Sequence, residues 1–198
     1  MALVLDAPLS EEPAELEGVA TITQRCLDEG TLAHSGAGFA ERLEDVGAVL
    51  GGTAGHSATE LFLEVPSSRL AVALGLLAEA VRTPELATGD IQRHKLLRAA
   101  EIEQTMANSA QRDQVDFRAA CIPSRFRAAR LAGGSTETVE RISAADVAAF
   151  HARYYRPDGA TLIVSGDTGP MRAVLDEMCE AADIRARTKA FFEDFATS

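Results

Sequence analysis

Four histidines, three cysteines and a scatter of serines are the residues of this chain with most chemical reach, and their spacing decides what they can do. A metal gripped by one helix needs two ligands three or four residues apart, so that both leave the same face. His34, His56, His94 and His151 contain no such pair. Cys26, Cys121 and Cys179 lie far apart, with no C-x-x-C and an odd count, which implies neither a zinc ribbon nor a disulfide framework. That usage fits a reducing compartment, and the expected location is cytoplasmic. Gly51-Gly-Thr-Ala-Gly55 and Gly166-Asp-Thr-Gly169 lack the lysine of a phosphate loop, and turn chemistry accounts for both. No serine belongs to a recognisable arrangement with a histidine and an acid. Arg125-Phe-Arg-Ala-Ala-Arg130 is the only basic cluster with an aromatic. In a chain of net charge −11 it reads as a solvated helix end or a partner contact, not as a nucleic-acid surface.

The elements that would position these residues follow from periodicity and breakers. Leu3-Val-Leu is a strand closed by Pro8. Val19, Ile22, Cys26 and Leu27 recur at helical spacing, and Gly30 supplies a stop. Phe39, Leu43, Val46 and Leu50 repeat that spacing, before glycines at 47, 51, 52 and 55 impose a turn or a bulged strand. Glu60 to Val65 is a strand, and Ser67 or Ser68 is expected to cap a helix reaching Arg82. A long helix is expected over 88–110 and another over 114–122, closed by Pro123. Gly133-Gly134 marks a turn, and His34 and His56, beside glycine-rich turns, are expected to be exposed.

Ser143-Ala-Ala-Asp146 starts a helix to Tyr155, with His151 expected at the edge of the core. Residues 160–165 form a strand so apolar that an internal place in the sheet is expected. Gly166 to Pro170 opens a last helix, and 186–198 reads as an exposed tail after one domain over 1–185. This order is not a β-α-β alternation. It predicts an α+β fold, a largely antiparallel mixed sheet with helices layered on one face. No apolar run nears the ~20 residues that span a bilayer, and no export signal is recognisable, so no membrane association is expected.

Several segments, in order, resemble the pitrilysin, insulinase and mitochondrial processing peptidase family from Leu3 to about Asp167. Asp6-Ala-Pro-Leu-Ser-Glu-Glu resembles its lead-in, and Gly18-Val-Ala with Gly30-Thr31 resembles its G-x-A-H-x-x-E-H-x-x-x-x-G-T run. Leu61 to Pro84 resembles its strand, Val-Pro turn and Leu-rich helix. Phe150-His-Ala-Arg-Tyr-Tyr-Arg-Pro, then Leu162-Ile-Val-Ser-Gly-Asp, resembles its closing helix, turn and strand.

In active members the H-x-x-E-H helix is an inverted zinc motif whose glutamate activates the metal-bound water. The resemblance puts Thr21 and Arg25 at the two histidines and Gln24 at the glutamate. Glutamine cannot act as a base, and arginine cannot be deprotonated to bind a metal. Glu101 fits the downstream glutamate ligand, and His94, seven residues earlier on the same helix, is expected to border that cleft. Arg25 and Glu101 either form an ion pair that replaces zinc structurally or face solvent separately.

The resemblance therefore implies a non-catalytic homologue with no cofactor of its own, zinc being the metal of active relatives. It covers the metal-helix half only, without the usual first strand, so an unpaired sheet edge and an uncovered apolar face are expected. Partners implied are a second copy or an active peptidase-family subunit, with a peptide as a further candidate ligand. The alternatives are activity completed by a partner's zinc site and a remnant without activity.

Overall fold

Leu61 and Leu63 are buried while Glu60, Phe62 and Glu64 are exposed, the period-two pattern of a strand with one dry face. The structure is a computed structural model and describes residues 1–166. Its sheet comprises β1 (Ala2–Leu5), β2 (Val49–Ala54), β3 (Thr59–Glu64) and β4 (Ala160–Ile163), in the order β2-β3-β1-β4 with every pairing antiparallel. Register aligns Leu3 with Leu61 on one side and Leu162 on the other, and Gly51, Phe62, Ala2 and Ile163 run across the opposite face.

Seven α-helices lie among the described residues: α1 (Val19–Arg25), α2 (Gly36–Asp45), α3 (Leu70–Arg82), α4 (Thr88–Ala107), α5 (Ser109–Cys121), α6 (Thr136–Arg141) and α7 (Ala144–Tyr154). The core between helices and sheet holds Leu5, Leu9, Ile22, Leu27, Phe39, Leu63, Leu74 and Ile91, all essentially inaccessible. Each such side chain contributes ~1.5–3 kcal/mol through removal of apolar surface from water. The fold is α+β with helices layered on an antiparallel sheet.

Several expected boundaries move. Leu50 shares helical spacing with Phe39 and Leu43, yet α2 stops at Asp45 because Gly47 turns the chain at φ 66°. Leu50 then sits in β2, paired with Leu63. Ser67 and Ser68 form a short 3₁₀ turn and cap nothing; α3 begins at Leu70. The continuous helix expected over 88–110 breaks at Asn108, whose extended backbone ends α4 and whose side chain accepts the Gln111 N–H to start α5.

The strand at 160–165 was expected inside the sheet. Among the described residues β4 pairs only with β1, and Thr161 and Ile163 are exposed. Helix α6 is unanticipated, and a reciprocal capping box between Ser135 and Thr138 initiates it. Ser143 and Asp146 form the same device at α7. The expected final helix and the tail lie outside the described residues.

Candidate functional site

Helix α1 begins without a side-chain cap of its own, since Gly18 occupies the N-cap at φ 108°. A carboxylate from upstream replaces it. Glu12 Oε1 accepts the backbone N–H of Gly18 at 2.9 Å and of Ala20 at 3.0 Å, placing negative charge where the helix dipole favours it. The other oxygen, Oε2, accepts Nε and Nη2 of Arg127 at 3.0 and 2.9 Å. Glu17 accepts Arg130 Nε at 2.7 Å. The side chains of Glu12, Glu17 and Arg127 are almost fully buried, so Arg127 of the basic cluster turns inward while Arg125, Phe126 and Arg130 remain exposed. Desolvation raises the Glu12 pKa above its ordinary value despite the lowering influence of Arg127 and the two backbone N–H groups.

One face of α1 carries Thr21 and Arg25, a turn apart. Arg25 Nη1 and Nη2 donate to Oε1 and Oε2 of Glu101 on α4, both at 2.9 Å. Arg98, one turn before Glu101, donates from Nη1 to Oε2 at 3.0 Å and from Nε to the carbonyl of Gly133 at 3.1 Å. The Arg25 hydrogen bonds hold the Glu101 carboxyl below its ordinary range, against a smaller upward push from burial and with Arg98 adding to the drop. Gln24 is buried and turns to the sheet. A Cβ on Gly52 of β2 would lie 2.6 Å from the Glu60 carbonyl oxygen and 2.9 Å from Gln24 Nε2, so the strand backbone requires glycine there and Gln24 packs against it.

His94 is buried on α4, and its Nε2 lies 2.8 Å from Glu29 Oε1 beyond the end of α1. Arg93 Nη2 reaches the other Glu29 oxygen at 2.6 Å. His34 and His56, expected to be exposed, are half-buried, and His34 Nδ1 lies 2.9 Å from Glu79 Oε2. His151 is half-buried with Nε2 2.8 Å from the Val81 carbonyl. Cys26 is sealed beneath α1, where burial and the nearby Glu29 and Asp90 carboxylates push its thiol up to about 12. A buried thiol so rarely ionised is not an activated nucleophile at neutral pH.

Zinc does not fit the residues assembled here. Glu101 is the only carboxylate of the cluster, its oxygens are engaged by guanidinium N–H groups, and Thr21, Gln24 and Arg25 provide neither an imidazole nor a base. No group of three or more histidine, cysteine, aspartate or glutamate side chains able to hold a metal occurs among the described residues. The Glu12–Arg127 network was missed because its partners are 115 residues apart. The only sequence signal was an acid-rich lead-in, Glu11 to Glu17, in the same chain as the three arginines at 125, 127 and 130.

A helix docked against an antiparallel sheet, with its exposed face toward a glutamate on a second helix, is the frame of a peptidase-type domain. The chain belongs to the insulinase family, peptidase family M16, whose family model matches residues 1–121. No curated protein sequence matches it. Solved structures share its fold. A peptidase M16 inactive domain from Pseudomonas fluorescens matches with TM-score 0.75 and 24% identity, over 80% of this chain and 39% of that one. Pitrilysin matches with TM-score 0.73 and 23% identity, over 92% of this chain and 19% of its own. A protease from Helicobacter pylori matches with TM-score 0.80 and 18% identity, over 90% and 43%. The chain thus spans less than half the length of each of these three proteins.

Proposed function

We propose that this chain is a non-catalytic M16 domain that serves as an interaction subunit, associating with a second copy or with an active peptidase relative. The observation that carries the reading is the Arg25–Glu101 pair. A guanidinium bonded at 2.9 Å to both oxygens stands where water activation would require a metal and a free carboxylate. Thr21 and Gln24 are the corresponding degenerate positions of the metal motif. The solved inactive M16 domain shows that the fold exists elsewhere without activity, which supports the same reading here.

Surface chemistry supports the interaction half. Helix α5 buries none of its residues, and Phe117 on it is 68% exposed. Leu96 and Leu97 on α4 are also exposed, and apolar side chains of this size invite a covering partner. No helix of the described residues is long and apolar enough to cross a membrane. The expected place of action is the cytoplasm, without a nucleic-acid partner.

The test is a zinc-supplemented digestion of a mixed peptide library by the purified protein, alone and mixed with a relative bearing H-x-x-E-H. No cleavage by the chain alone is the expected result. Cleavage that survives removal of every other protein would overturn the reading. Co-elution with the active relative, or a dimeric mass for the chain alone, supports the interaction role; a monomer that never co-elutes rejects it.

A further inference from the structure

The chain carries a net charge of −11, yet one of its cavities is walled by arginine and by no acid. It lies where α5 packs against α4 and the 127–131 segment, and it encloses about 180 Å³. Helical spacing aims one face of α5 into it. Gln111, Gln114, Val115 and Arg118 recur at three and four residues and line the wall, while Asp113 and Asp116 of the same helix do not. Thr105 closes the α4 side, and Leu131 adds apolar wall opposite Val115. Among the described residues no carboxylate lines the cavity, and none of Thr21, Gln24, Arg25 and Glu101 reaches it.

Its two guanidiniums differ. Arg130 is committed, through Nε and Nη2 to Glu17 at 2.7 and 2.6 Å and through Nη1 to the Ser124 carbonyl at 2.6 Å. Arg118 is exposed and its side chain makes no hydrogen bond or ion pair among the described residues. Its charge is felt as far as the turn between β2 and β3, where burial first, then Arg127 and Arg118, lower the His56 pKa below its ordinary value. A cation without a counter-ion, flanked by two amides, matches a planar anion that accepts two N–H donors at once. The apolar wall adds a place for methylene groups, which an inorganic anion lacks. A volume of about 180 Å³ suits one side chain, below the ~300–1,000 Å³ of pockets for larger ligands.

We propose that this cavity is a docking pocket for one carboxylate-bearing residue of a peptide segment, with Arg118 as its two-pronged anchor and Gln111 and Gln114 as flanking donors. The proposal narrows the interaction reading above and rests on it for the protein that supplies the segment. An acidic side chain and a free C-terminus present the same chemistry to Arg118, and the peptides below tell them apart.

The test is fluorescence anisotropy of the full chain with alanine pentapeptides bearing an uncharged fluorophore. One pair is amidated at the C-terminus and carries Glu or Gln at its centre; the other is all alanine, with a free or an amidated C-terminus. Saturable binding at least tenfold tighter for Glu than for Gln assigns the pocket to a side-chain carboxylate. The same preference for the free terminus over the amide assigns it to a C-terminal one. No preference within either pair overturns the proposal. R118Q is expected to weaken the preferred peptide at least tenfold, and R118K by less, because an ammonium keeps the charge and loses the fork. R112Q removes the same charge from α5 outside the cavity and is expected to bind as the unaltered chain does. Equal losses in R112Q and R118Q would reduce the effect to general charge and overturn the pocket. Circular dichroism checks each fold, and if R118Q misfolds, Q114E tests the same point by placing a carboxylate beside Arg118; undiminished binding by Q114E overturns the proposal. Absence of peptide binding while an active relative still co-elutes removes the pocket and leaves the interaction reading. Peptide binding by a monomer that never co-elutes does the reverse.

Discussion

Helix α1 is tied down at both ends by arginine–carboxylate contacts, and the two ends behave differently. At its start, Glu12 and Arg127 are sealed from solvent, with side-chain exposures of 0% and 6%. At its end, Arg25 and Glu101 keep 29% and 41%. The pairing chemistry is the same, two N–H donors directed at a carboxylate, yet the carboxyl pKa moves in opposite directions. Burial dominates at Glu12 and raises it; hydrogen bonds dominate at Glu101 and lower it. Charge pairing alone therefore does not define the role of an ion pair. The degree of desolvation makes the first a buried clamp and leaves the second a partly solvated contact.

The largest effect is expected at the buried end. Arg127→Met should destabilise the fold by ~3–5 kcal/mol, because it leaves the Glu12 carboxylate buried without its counter-charge. Urea unfolding followed by circular dichroism measures this, and a loss under about 1 kcal/mol would place the pair among surface contacts. Arg25→Met should cost far less, ~0.2–1 kcal/mol, since both partners reach water. Half-molar salt should shrink the Arg25 effect and leave the Arg127 effect nearly unchanged, because screening acts on solvated charges. Equal salt sensitivity of the two variants would erase the distinction.

The smallest expected effect is on pH dependence, where the two carboxylates should pull in opposite directions. Glu101 titrates below its ordinary 4.5, so its stabilisation is complete above that value and is lost as pH falls through the lower folded pKa. Glu12 titrates above its ordinary 4.5, so the folded state takes up that proton first and gains stability as pH falls toward 4.5. Urea midpoints across the acid range should show E101Q flattening the decline below 4.5 and E12Q removing the gain above it. The same slope in both variants would mean that burial does not separate the sites.

Much of the frame was readable before any coordinates. Alternation over 60–65, the Leu-rich helix ending at Arg82, the Asp146 capping of α7 and the Gly-Thr exit after α1 are local signals, each with a local physical cause. Misreadings arose where local pattern and tertiary pairing compete. Leu50 kept helical phase with Leu43, but Gly51 packs beneath the Phe62 ring, where a Cβ would lie 2.3 Å from Cζ. That cross-strand contact draws the segment into the sheet. Residues 160–165 were apolar enough for an interior strand, yet the pairing leaves β4 beside β1 alone among the described residues.

The residue types at 21, 24 and 25 carry the non-catalytic proposal, because threonine, glutamine and arginine offer neither an imidazole nor a base. Helix periodicity settled that Thr21 and Arg25 share a face. Only the tertiary structure decided what that face meets. Arg25 and Glu101 are 76 residues apart, and Arg127 and Glu12 are separated by 115. Such pairs depend on how α4 and the 127–138 segment return to α1, and a single sequence carries no local signal for that return. Desolvation is likewise a property of packing. It is what separates the buried ion pair at the start of α1 from the partly exposed one at its end.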